Sequence, residues 1–164
     1  MTLLRRHISP NNGLVSILAL PAAVLMVVGL GWAALHFLFG PDVRRVDPAV
    51  LSELRAVGRV VGEDGGIAHE WENSYVEFKY LVVHLDGSAT EDVVAETERR
   101  LSRSGWRVWQ RQRHEIDLAS ARWTSTLVEV EQLEWAGHMS SELREAVAAT
   151  GLPMSEMVYI TIQA

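Results

Sequence analysis

The sequence predicts one N-terminal transmembrane helix followed by a small α+β domain, in which an antiparallel sheet carries two helices on one face. Three observations lead to this fold class: an uncharged apolar stretch near the N-terminus, an acidic remainder, and strand and helix patterns that alternate after it. All 21 acidic residues follow residue 41, so the net charge of −6 divides into +2 for residues 1–40 and −8 for the rest. The order of the later patterns, β-α-β-β-α-β, is that of a ferredoxin-like sandwich.

The apolar stretch covers residues 13–39 and follows a short basic tail, residues 1–12. About 20 apolar residues suffice to cross a bilayer, whereas a cleaved signal peptide usually has a shorter apolar region followed by small residues. This stretch is longer and ends in bulky side chains, which favours an anchor over a cleaved signal. A short basic tail before a single anchor favours a cytoplasmic N-terminus, so we expect the domain on the outer side of a cell membrane.

Residues 40–74 are predicted to form a juxtamembrane helix and a linker. The Asp-Pro pair at 47–48 is typical of a helix start. Apolar residues then recur at helical spacing, which predicts a helix over 48–61. The glycine-rich, acidic run at 62–66 indicates a flexible break before the domain.

The domain itself is predicted to span residues 75–164. A β-branched and aromatic run over 75–85 indicates the first strand, and a helix over 88–104 follows, with Ser88 and Glu91 as a capping box. The pattern then predicts a strand at 106–112, a polar loop over 114–121, a strand within 123–135, a helix at 140–150 and a final strand at 157–162. In the ferredoxin-like arrangement the final strand lies at one edge beside the first, and the second strand forms the other edge.

Arginines and tryptophans cluster on the second predicted strand and form the candidate interaction surface. Its members are Trp106, Arg107, Trp109, Arg111 and Arg113. Side-chain alternation places all of them except Trp106 on one face. The neighbouring predicted strand offers Glu129 and Glu131, so cross-strand Arg–Glu pairs explain the arginines without a ligand. Lipid headgroups are the alternative partner for this cluster, and the acidic net charge opposes nucleic-acid binding.

The chain lacks the residue patterns of a catalytic, metal or cofactor site. It has no cysteine, which excludes a cysteine nucleophile and a thiolate metal site. No HExxH, GxSxG or phosphate-binding GxxxxGK[ST] run occurs, and the histidines of the domain lie singly in or beside strands and loops. We therefore expect no enzymatic activity, no bound metal and no cofactor.

The anchor and the aromatic content favour a non-catalytic module that binds a protein partner, or a second copy of itself, at the membrane bilayer. Five tryptophans follow residue 70, which is more than a small sandwich is expected to bury. Addition of a partner strand to a sheet edge is one such mode of binding. The alternative is a membrane-anchored sensory domain with a small-molecule pocket between its helices and its sheet.

Overall fold

The computed structural model describes residues 21, 24–35, 40, 42–71, 74–86 and 92–164, and the chain divides into two compact units, residues 1–41 and 42–164. In the first unit, residues 24–35 are helical and their side chains are exposed. Within the described parts of the chain, no helix combines the length and the apolar character needed to cross a bilayer. This finding corrects the transmembrane helix predicted over 13–39; residues 13–20, 22–23 and 36–39 of that stretch, and the tail 1–12, lie outside the described residues.

The second unit is a mixed α/β domain built on one seven-stranded sheet. Among the described residues of this unit, three helices accompany the strands, and two short 3-10 turns, Leu133–Trp135 and Met154–Glu156, precede the last helix and the last strand. In chain order the elements are β1 (Asp42–Arg44), α1 (Pro48–Arg55), β2 (Arg59–Trp71), β3 (Ser74–His84), α2 (Val93–Ser102), β4 (Trp106–Arg111), β5 (Glu115–Ser120), β6 (Leu127–Gln132), α3 (Ser141–Thr150) and β7 (Met157–Gln163).

The last strand in the chain lies in the middle of the sheet. The strands follow the order β2-β3-β7-β6-β5-β4, and β1 pairs with the first residues of β3, ahead of the point where β7 begins to pair with it. The pair β1–β3 is parallel, and all the other pairs are antiparallel. The long edge strands are therefore β2 and β4, and the three-residue β1 is paired on one side only, with β3.

Helices cover both faces of this sheet. α1 and α2 form the main core with residues such as Leu81 and Val83 of β3, whereas α3 forms a smaller core with Val82. Successive residues of a strand point to opposite faces, so α3 lies on the opposite side of the sheet from α1 and α2. β3 and β7 carry runs of buried residues at 81–84 and 157–160, and such continuous runs are typical of strands that are covered on both faces.

This architecture shows that the ferredoxin-like prediction was wrong. That fold requires both helices on one face and the final strand at an edge, whereas this domain has helices on both faces and β7 in the centre. Two strands that the sequence pattern did not reveal account for much of the difference. They are β2, which occupies the predicted linker, and β5, which occupies the predicted polar loop.

β2 was mistaken for a helix end and a flexible linker because of its glycines. α1 ends at Arg55, and within β2 a Cβ on Gly65 would lie 2.8 Å from the backbone oxygen of Phe78. A Cβ on Gly62 would lie 2.8 Å from Cδ2 of Leu143 in α3. At both positions glycine allows a close approach of neighbouring segments, so the same residues that suggest flexibility serve tight packing here.

The helix predicted over 88–104 exists in a shorter form, as α2. Its N-cap is Asp92, whose side chain accepts a hydrogen bond from the backbone N–H of Ala95 at 2.9 Å. The predicted capping residues Ser88 and Glu91 lie outside the described residues. For α3, in contrast, the expected signals are confirmed: Ser140 caps its start, and Gly151 ends it in the left-handed conformation with φ 65°.

Candidate functional site

The structure separates the five residues of the candidate interaction surface, Trp106, Arg107, Trp109, Arg111 and Arg113. Trp106 is only 1% exposed and belongs to the main core. Arg111 lies on the α2 side of the sheet, where it forms an ion pair with Glu98. Arg107 and Trp109 lie on the opposite side, and Arg113 is exposed in the loop after β4. The prediction that four of these side chains share one face was therefore wrong.

A β-bulge at Trp109 causes this separation. Val108 pairs with Leu118, but the next pair along β4 joins Gln110 to Asp117, which leaves Trp109 as the extra residue. A bulge shifts the alternation of side chains by one position. Arg111 consequently pairs with Ile116, whose side chain points into the main core. Arg111 therefore faces α2 and does not share a face with Trp109.

Trp106 is held in the core by a hydrogen bond to the carboxylate of Glu53 in α1. Oε2 of Glu53 accepts hydrogen bonds from Nε1 of Trp106 at 3.2 Å and from Nε1 of Trp123 at 3.3 Å. Oε1 of Glu53 accepts a hydrogen bond from Arg122 at 2.9 Å, and the Arg122 guanidinium lies 4.6 Å from the centre of the Trp123 ring. This half-buried carboxylate joins α1 to β4 and to the loop between β5 and β6.

The predicted ladder of Arg–Glu pairs is absent because β5 lies between β4 and β6. Glu129 of β6 faces Asp117 of β5, and Glu131 faces Glu115. Within the described part of the chain, no arginine or lysine forms an ion pair with any of these four carboxylates. Their one direct side-chain hydrogen bond among the described residues comes from Gln112, whose amide lies 3.3 Å from Glu115.

These carboxylates lie on a part of the sheet that we call the open face. It is the α3 side of β4, β5 and β6, formed by Arg107, Trp109, Glu115, Asp117, Leu127, Glu129 and Glu131. α3 packs on the other end of the sheet, over β2, β3 and β7, and no described helix covers the open face. Trp109 and Leu127 are 59% and 49% exposed, whereas the four carboxylates are half-buried.

Burial, together with the crowding of like charges, raises the pKa of carboxylates on the open face. Burial, together with the charges of Glu129 and Glu115, raises the pKa of Glu131 to about 7. Burial and the neighbouring carboxylates also raise the pKa of Glu129, and burial raises that of Asp117. Such shifts are what unneutralised carboxylates produce when they share a partly desolvated surface.

A stacked tyrosine pair borders the open face on the side of α3. The rings of Tyr80 and Tyr159 lie 5.8 Å apart and nearly parallel. The Tyr159 hydroxyl donates a hydrogen bond to the backbone oxygen of His138 at 3.0 Å. Burial, with Tyr80 and the nearby carboxylates, raises the pKa of Tyr159 to about 12, so this hydroxyl stays a hydrogen-bond donor at neutral pH.

The chemistry that the open face offers is the binding of a cation. Glu115, Asp117 and Glu129 each present a carboxylate oxygen, and these oxygens lie within 4.8 Å of one another. Divalent cations and the side chains of arginine and lysine are the groups that carboxylates of this kind bind. The sequence analysis missed Glu115 and Asp117 because it assigned them to a loop, although Ile116 and Leu118 alternate with them in the two-residue period of a strand.

A separate groove of about 740 Å³ lies at the edge formed by β4. Trp106 and Arg107 of the predicted surface contribute to its wall, together with Ser102, Ser120 and Arg122. The groove runs between the end of α2 and the loop after β5, so it lies where a helix packs against the sheet edge.

Comparisons with protein-family models, with curated proteins and with solved structures find no match for this chain. The geometry of the open face and of the groove is therefore the basis for a functional proposal.

Proposed function

We propose that the domain 42–164 is a non-catalytic module that binds a protein partner through the open face. The observation that carries this proposal is a sheet surface that no described helix covers, with exposed Trp109 and Leu127 beside half-buried carboxylates. Exposed aromatic and apolar side chains on one continuous surface are typical of protein interfaces.

The distribution of tryptophans supports this choice of surface. Of the four tryptophan side chains described in the domain, Trp106 is buried and Trp123 is half-buried, whereas Trp109 and Trp135 are exposed. An exposed tryptophan leaves a large apolar ring in water, which a partner can cover. Trp109 is the one of these two that lies on the open face.

Association with a cell membrane, and an extracytoplasmic position of the domain, stay predictions. Both predictions rest on the sequence of residues 1–41, most of which lie outside the described part of the chain. The partner in the proposed interaction is either a different protein or a second copy of this chain, and in the second case the open face mediates self-association.

Photo-crosslinking in living cells tests the proposed interaction. Leu127, an exposed member of the open face, is replaced by p-benzoylphenylalanine in the full-length chain. We expect one discrete crosslinked product after irradiation, because a covered position lies within reach of the partner. Mass spectrometry of this product distinguishes a foreign protein from a second copy of the chain.

The matched control carries the same photoreactive residue in place of Glu145, which is exposed on α3 and outside the open face. We expect no discrete product from this position. If position 127 gives no product, or if position 145 gives the same product in equal yield, the open face is not the interaction surface.

Small-molecule sensing is a second candidate function, and the groove at the β4 edge is the observation that favours it. A screen of metabolite classes by thermal unfolding tests this candidate. A true ligand raises Tm progressively as its concentration increases above Kd, since binding at 100 times Kd adds about 2.7 kcal/mol to the stability. The shift should disappear in Arg122→Ala, an exposed residue that lines the groove. A screen in which no compound class raises Tm in a concentration-dependent way argues against this function.

A further inference from the structure

Acidic residues face each other directly across two strands of the open face. Glu129 is aligned with Asp117, and Glu131 with Glu115. Like charges in directly opposite positions of a sheet destabilise it. The two pairs are two residues apart along each strand, so both lie on the same face of the sheet. The open face therefore carries a concentrated negative charge at a cost to the stability of the free domain.

Several acidic residues on other surfaces of the domain have cationic partners. Glutamates on other surfaces form ion pairs with arginines, among them Glu53 with Arg122 and Glu63 with Arg55. Arg107 lies on the open face itself but forms no ion pair with its carboxylates among the described contacts. Four carboxylates without a cationic partner among the described contacts are thus gathered on the open face, and a cationic group from outside the domain would neutralise them.

A small cavity on the open face has the size and the walls for a single side chain. It measures about 90 Å³ and is lined by Trp109, Asp117, Leu127 and Glu129, among others. The carboxylates of Asp117 and Glu129 can bind a guanidinium or an ammonium group, while the Trp109 ring and Leu127 can contact its aliphatic stem.

We propose that the open face binds a partner segment that carries an arginine or a lysine, and that this side chain enters the cavity between Trp109, Asp117 and Glu129. This proposal rests on the function proposed above and names the chemistry of the partner. The exposed apolar walls favour a side chain over a free metal ion, because a divalent cation is held by oxygen ligands and makes no use of Trp109 or Leu127.

Binding of a labelled hepta-arginine peptide to the full-length protein provides the direct test. Asp117→Asn combined with Glu129→Gln should raise Kd about tenfold or more, because charged hydrogen bonds to the guanidinium are lost. These substitutions relieve repulsion between like charges, so the variant should fold. Trp109→Ala should raise Kd several-fold at unchanged net charge.

The matched control is Glu142→Gln combined with Glu145→Gln, which removes the same charge from exposed positions of α3. We expect its Kd to stay within twofold of the unmodified protein. If both double variants raised the Kd of the peptide equally, its binding would depend only on the net charge of the protein. Competition by Ca²⁺ or Mn²⁺, combined with no effect of Trp109→Ala, would assign the carboxylates to a metal ion instead. Either result overturns the proposal.

Crosslinking separates failure of this inference from failure of the proposed function. With p-benzoylphenylalanine at position 127, the Asp117→Asn and Glu129→Gln substitutions should abolish the discrete product formed in cells. If the product persists in this variant, the open face is an interaction surface but its partner is not recognised through a basic side chain. If no product forms even with both carboxylates present, the proposed function itself fails.

Discussion

Replacement of Trp106 by alanine is expected to lower the free energy of unfolding by about 3–5 kcal/mol, the usual cost of removing a large buried ring. Trp106 is 1% exposed in the main core, and its indole N–H donates to Glu53. The substitution removes packing from the core and a hydrogen bond from the carboxylate that joins α1 to β4. Urea denaturation of the full-length protein, followed by circular dichroism, measures the loss.

Two further variants divide this effect into its parts. Trp106→Phe keeps an aromatic ring in the core but removes the N–H donor, and it should cost about 1–2 kcal/mol. Trp109→Ala removes an exposed ring and should change the stability by no more than about 0.5 kcal/mol. A comparable loss from Trp106→Ala and Trp109→Ala would contradict the placement of these two residues on opposite sides of the sheet.

The stability of the domain is expected to fall between about pH 4.5 and pH 7 because of Glu131. Its pKa rises from 4.5 to about 7 on folding, so in this range the folded state binds more protons than the unfolded state. Stability therefore decreases as the pH rises through this window. Above it, Glu131 is charged in both states, and the full penalty of partly burying its carboxylate beside Glu129 and Glu115 remains.

Glu131→Gln should remove a large part of this pH dependence. At pH 8 we expect a gain of about 1–2 kcal/mol, which is less than the full pKa shift implies because water screens a half-buried carboxylate. Near pH 4.5, where Glu131 is largely protonated when folded, the two proteins should have similar stability. The control Glu145→Gln, on the exposed surface of α3, should leave the pH profile unchanged. Parallel profiles for the unmodified protein and Glu131→Gln would refute this account.

The sequence predicted individual elements better than their arrangement. β3, β4 and β7 were each identified to within about two residues, because β-branched and aromatic runs mark them clearly. α3 was identified together with its capping serine and terminal glycine. The arrangement failed because the topology depends on β2 and β5. The first has glycines where close packing requires them, and the second has acidic residues at two of its three outward positions, Glu115 and Asp117.

The candidate site was predicted only in part for a related reason. Trp109 and Arg107 do lie on the open face, but the bulge at Trp109 moves Arg111 to the other side, and a bulge leaves no local signal in WRVWQR. Glu129 and Glu131 were identified as a charged pair on one face. Their true neighbours, Asp117 and Glu115, could not be recognised as long as β5 was taken for a loop.

The central position of β7 has a consequence for the order in which the sheet can be completed during synthesis. β1, β2 and β3 emerge first, and the meander β4-β5-β6 follows, but these two groups of strands become one sheet only when residues 157–163 have been made. Until then the inner sides of β3 and β6 are both open edges, and open edges can pair with other chains. The nascent protein thus passes through a stage in which the strands on either side of the missing β7 are available for pairing with other chains.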